Sequence, residues 1–228
     1  MRADFLMASE QTPLGSTKRT KLHRVPYKEI TDRQVLHQIL DHALVGHVGF
    51  VQDGQPFVIP VAIARDGDAL LLHGSKASRL FKTLASGVPC AVSVTILDAL
   101  VLARSAFESS MNYRSALILG AARELDGDEK IRAFNALTDH LLPRRRDSLR
   151  PLNDDEIKQT TMLTLPLDEA SVKISSKFPK DDEEDLAWPV WAGNIPIEHR
   201  YGTPIPDPRM TTAHPLPEYL KSWPEGRT

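Results

Sequence analysis

The chain has 228 residues, 41% of them apolar, and a formal net charge of −2. That length fits one domain, or one domain with appendages, and the balanced charge argues against a broad basic surface for nucleic acid. A single cysteine (Cys90), no apolar run near the roughly 18 residues of a membrane helix, and no signal-peptide pattern point to a cytoplasmic protein without a membrane partner.

Residues 1–24 are polar, aperiodic and carry TKRTK, and they read as a mobile arm. Thr31 with Gln34 three residues on is a capping-box pattern. Val35, Leu36, Ile39 and Leu40 then repeat at helical spacing, predicting a helix to about His42. From Ala43 the pattern changes. ALVGHVGFVQ and QPFVIPVAIA flank Asp53-Gly54 as two strands around a hairpin turn. The turn RDGD (65–68) leads into a strand from Ala69 to His73, and a helix follows over about 76–86. Val88–Leu97, Ala99–Phe107 and Met111–Ala122 read as three further strands. Asp128–Leu142 is a helix with Ile131, Phe134, Leu137 and Leu141 on one face, and Asn153 caps a short helix through Gln159.

Thr161–Leu167 and Ala170–Ser175 are the last core strands. Beyond Lys177 come an acidic run, DDEED, read as a solvated loop, then PVWAGNIP. A Pro-rich tail follows over 198–228. Successive short strands with turn signals favour a mainly β, antiparallel barrel over 25–197, with helices at its periphery. The glycine-rich nucleotide motifs of parallel folds are missing.

The chemistry concentrates in LHGSKASRLFKTLASG (72–87). Ser75, Lys76, Ser78 and Arg79 gather where a strand hands over to a helix. Two hydroxyls and two cations beside unpaired backbone N–H groups suit a dianionic phosphate. The plainer alternative is a serine cap with two solvated basic residues. His37, His42 and His47 recur every five residues, a spacing that shares no helix face, and no metal-ligand pattern accompanies them, so no metal is expected. His73 ends its strand beside the basic cluster as a proton donor, a substrate contact or a packed histidine. Cys90 reads as core.

Taken together, ALVGHVGFVQDGQPFVIPVAIARDGDALLLHGSKASR, DALVLARSAFESSMNYRSALILG and DDEEDLAWPVWAGNIP resemble the FMN-binding split-barrel superfamily. The likeness is to its pyridoxamine 5′-phosphate oxidase-related, flavin-nucleotide-binding branch, with the nitroimidazole-reductase-like proteins. It covers about residues 24–197. The resemblance implies a six-stranded antiparallel split barrel and a homodimer with FMN at the interface, acting on a small-molecule substrate. It implies that His73, Gly74, Ser75, Ser78 and Arg79 hold the flavin phosphate, and that Pro60, Val61, Ala62 and Ile63 lie against the isoalloxazine ring through their backbone. Tyr113, Arg114 and Ser115 match a segment that contacts the flavin or its phosphate. Trp191 matches a tryptophan beside the ring, or serves in core or dimer packing. Arg114 is either that ligand contact or a salt-bridge partner. No catalytic residue is implied, and His73 is the best candidate.

The segment WAGNIPIEHRYGTP does not reproduce the arginine- and histidine-containing pattern by which vitamin B6 oxidases grip their substrate. The expectation therefore moves to an FMN-dependent reductase or oxidase of small electrophilic or aromatic substrates. Alternatives on the same scaffold are a haem-binding or haem-degrading protein, a non-catalytic flavin binder, and a deazaflavin in place of FMN.

Overall fold

The computed structural model describes residues 12–210, 214–221 and 223. In chain order the elements are β1 (Glu29–Ile30), α1 (Arg33–His42), β2 (Val45–Gln52), β3 (Gln55–Asp66), β4 (Ala69–Ser75), α2 (Arg79–Ala85) and β5 (Pro89–Leu102). There follow β6 (Ser110–Ala121), β7 (Arg123–Glu124), α3 (Gly127–Leu141), α4 (Asp154–Gln159), β8 (Thr160–Pro166), β9 (Glu169–Ser175) and β10 (Gly193–Pro196).

The strands pair antiparallel in the order β1-β9-β6-β5-β2-β3-β4-β8-β7, with β10 added to β5. The mainly β, antiparallel split barrel expected from the sequence is what forms. The strand count is ten rather than six: β1, β7 and β10 add pieces of two to four residues at the margins of seven longer strands. The β2–β3 hairpin turns at Asp53 and Gly54, both with positive φ (52° and 76°), the conformation that an Asp-Gly pair adopts cheaply. Alternation along the strands sends Val48, Phe50, Val61, Ile63, Val92, Val94 and Ile118 inward, where they meet α1 through Leu36, Ile39 and Leu40. A second, smaller core lies on the other side of β4 and β8, where Ala133 and Leu137 of α3 cover Ala64, Leu71 and Met162.

Several local expectations differ. The cap of α1 is Asp32, whose carboxylate accepts from Gln34 N at 2.8 Å, in place of Thr31. The two strands read over 88–107 are one strand, β5, with a register shift between Leu97 and Ala99. That bulge lets β5 pair with β2 along Cys90–Ser93 and with β10 along Ala99–Leu102. Phe107 lies beyond the strand and is fully exposed. Residues 12–24 of the expected mobile arm are seated on the barrel, whereas residues 1–11 fall outside the described set. Leu14 is buried in the main core, Gly15 N donates to Ala170 O at 2.9 Å, and Arg19 pairs with Glu169. Within DDEED, Asp181 is not a solvated residue. Its carboxylate is 1% exposed and accepts from Arg104, at 2.8 Å from the guanidinium and 2.6 Å from the backbone N–H.

Candidate flavin site and a histidine-lined cavity

The barrel splits between β3 and β4. Their ladder holds from Asp66↔Ala69 to Ile63↔Leu72 and ends there. Past that point β3 pairs only with β2, and β4 only with β8. One edge of β3 therefore offers unpaired backbone N–H and C=O groups beside Pro60, Val61 and Ala62. The four residues expected at a ring wall divide by strand alternation. Val61 and Ile63 are buried in the core, whereas Pro60 and Ala62 turn to the opposite face. Any contact from the first pair is through the backbone.

His73 and Ala62 flank the mouth of this split, each one position beyond the last ladder pair. The Nδ1 atom of His73 is buried without a hydrogen-bond partner, and burial pushes the imidazole pKa below its usual value. The ring is accordingly neutral at pH 7 and leaves one nitrogen free for a ligand atom. Gly74 comes next because no side chain fits. A Cβ there would lie 2.0 Å from the Phe81 ring, which closes the inner end of the barrel under α2.

Ser75 Oγ accepts from Ala77 N at 3.2 Å, turning the chain so that Lys76 and Arg79 emerge together. The Ser78 hydroxyl makes no capping bond to the helix. Arg79 stacks over Phe57 at 4.2 Å from the ring centroid, and Phe57 in turn stacks on Phe50 at 5.4 Å. Neither Lys76 nor Arg79 has a carboxylate partner among the described residues. α2 is only seven residues long, so its dipole adds little; an anion here would be met chiefly by the two cations and two hydroxyls.

The other predicted residues lie elsewhere. Arg114 forms the salt-bridge alternative, donating to Asp98 at 2.8 Å, and Asp98 sits at the β5 bulge. Tyr113 is flanked by Lys28 and Lys173, each 5.6 Å from its ring centroid. Ser115 Oγ donates to Lys173 O at 3.2 Å. Trp191 is 64% exposed and folds back over Gly193. None of these four joins the split within this one chain. Tyr113 and Ser115 alternate onto the outer face of the sheet, where Val45, Val51 and Val58 are also exposed, whereas Arg114 turns to the other face and Trp191 precedes β10. Cys90 is buried as expected, and burial raises its thiol pKa.

No spacing in the sequence joins His42, His47 and His199, yet all three line one cavity of about 590 Å³ between the start of β2, the middle of β5 and residues 199–201. A second cavity, about 400 Å³, shares His42, Ile96, Leu97, His199 and Arg200 with it. The signal available was strand alternation, which puts His47 on the face opposite buried Val48; helical spacing obscured it.

The family model described as pyridoxamine 5′-phosphate oxidase matches residues 32–174. The chain belongs to the pyridoxamine 5′-phosphate oxidase family. Among solved members of this fold, the FAD and haem binding protein of Mycobacterium smegmatis is 40% identical, with 86% of this chain and 96% of that one covered at a TM-score of 0.83. The flavocytochrome Anf3 of Azotobacter vinelandii is 38% identical over 90% and 96% of the two chains, with a TM-score of 0.85. A candidate 5-nitroimidazole antibiotic resistance protein of Bacteroides thetaiotaomicron, 20% identical over 64% and 86%, shares the fold at a TM-score of 0.55. No curated protein matches the chain. Among the described residues no helix is long and apolar enough to cross a membrane.

Proposed function

We propose that this member of the family binds a flavin nucleotide and acts as an oxidoreductase on a small molecule. The observation that carries the reading is the split between β3 and β4: an unpaired strand edge, the orphaned Nδ1 of His73, and two cations without carboxylate partners in one opening. These groups fit the parts of riboflavin 5′-phosphate. The β3 edge suits the polar edge of the ring system, and Ser75, Lys76, Ser78 and Arg79 suit the phosphate. When bound, the flavin supplies hydride or electron transfer. The protein's own groups bind and orient it, and neutral His73 is the hydrogen-bonding side chain nearest the ring and the best candidate for moving a proton.

FMN is the smallest flavin nucleotide that brings a phosphate to this cluster, and the Mycobacterium smegmatis relative favours FAD, which contains the same riboflavin phosphate. The working form is a homodimer whose second copy covers the bare apolar face and brings Tyr113, Arg114, Ser115 and Trp191 toward the opposite site. The two relatives near 40% identity also favour haem as a second prosthetic group.

The test is reconstitution with FMN, FAD and riboflavin, followed by desalting and absorption spectroscopy. Arg79→Ala is expected to weaken FMN or FAD tenfold to a hundredfold, the range of a charge-assisted hydrogen bond of about 1.5–3 kcal/mol. Riboflavin binding should change little. Equal losses for phosphorylated and unphosphorylated ligands would remove the phosphate role, and no flavin retained by the unaltered protein would remove the reading altogether.

A further inference from the structure

The cavity beside β2 is large for a surface dimple and unusual in its lining. Its volume of about 590 Å³ falls within the ~300–1,000 Å³ typical of ligand sites. Ile96 and Leu97 of β5 supply an apolar wall, and His42, His47 and His199 supply imidazoles. These imidazoles do not gather as a bare metal ion would need, for among the described residues no three His, Cys, Asp or Glu groups converge on one point. A metal that arrives with four equatorial nitrogens of its own needs only one imidazole from the protein. His47 meets that need. It projects from the centre of a strand paired on both sides, opposite Pro60 of β3 and Ser93 of β5. Neither neighbour carries charge, and among the described residues nothing hydrogen-bonds or ion-pairs with the His47 ring. Arg200 stands at the rim, engaged among the described residues only in an exposed pair with Glu198, a kind of contact worth about 0–1 kcal/mol and easily exchanged for another carboxylate.

We propose that this cavity is the haem pocket of the protein, with His47 as the axial ligand and Arg200 as the partner of a haem propionate. The inference rests on the reading of haem as a second prosthetic group. Its position follows from this chain: His47 pairs across the strand with Pro60, the outward residue of the flavin wall, so the two prosthetic groups occupy neighbouring stations on one rigid sheet.

The experiment loads the full chain with haemin, removes the excess and records the Soret and visible bands, the haem-to-protein ratio and the retained flavin. The unaltered protein is expected to hold haem with an imidazole-ligated spectrum. His47→Ala should weaken haemin binding at least tenfold, with the far-UV circular dichroism unchanged. His47→Met, which keeps a ligand, should retain haem with shifted bands. Arg200→Ala should weaken binding without shifting them. If the unaltered protein retains flavin but no haem, the haem reading and this inference both fail while the flavin reading stands. If haem binds and His47→Ala and His47→Met leave affinity and bands unchanged, the site assignment alone is overturned.

Discussion

Gly74 and His73 are adjacent in the chain and fail in different ways when changed. Gly74→Ala puts a methyl group into the ring of buried Phe81, and overpacking of this kind costs about 1–3 kcal/mol. The expected result is a lower denaturation midpoint together with loss of flavin, because relief requires the end of β4 to move away from the cradle. Unchanged flavin affinity in Gly74→Ala would show that the cradle does not depend on this close approach. At His73 the governing term is burial, which depresses the imidazole pKa in the folded chain. Below the unfolded value of 6.5 the unfolded chain takes up the proton more readily than the folded one. Stability is therefore complete above pH 6.5 and falls as the pH drops through the depressed folded pKa. Urea denaturation of the apoprotein at pH 7.5 and 5.5 should show this fall, and His73→Asn should make it shallower. An identical pH dependence in both proteins would assign the effect to other groups. Neighbourhoods were legible where residues adjoin in sequence, as at Ser75–Arg79. They were hidden where partners are distant, as for Arg104 with Asp181 and for His47 with His199.

The elements themselves were largely visible in the pattern. Alternation placed the hairpin over 45–66, helical spacing placed α1 and α3, and Asn153 caps α4 with Glu156 returning the bond at 3.0 Å. What failed was continuity. A bulge at Asp98 looks like a strand end in the sequence, but its carbonyl accepts from Ile197 N at 2.9 Å and its carboxylate holds Arg114. The break is thereby satisfied by residues that local pattern cannot see. The arm failed for a similar reason. Residues 12–22 have no period of their own, and Leu14 alone reaches the core, while Thr17 donates to Glu169 at 2.6 Å. Leu14→Ala should cost about 2–4 kcal/mol, the range for a buried leucine, where a residue of a free arm would cost nothing. Thermal denaturation decides it, and a midpoint within one degree of the unaltered protein would restore the free-arm reading.

For the molecule as a whole, the bare outer face of the sheet is the main unfinished feature. Val45, Val51 and Val58 are exposed on it, and the proposed homodimer would give them cover. Light scattering should report a dimer, and Val58→Lys should shift it toward monomer and release flavin in step. A monomer that still retains flavin would sink the shared-site arrangement. The histidine-lined cavity has one more implication, which concerns timing. One of its walls, with His42 and His47, comes from the first strands of the barrel; the other, with His199 and Arg200, follows β10, and Ile197 must find Asp98 before that wall is fixed. The pocket cannot exist until that second wall has been made, so a ligand could enter it only after the barrel strands are in place.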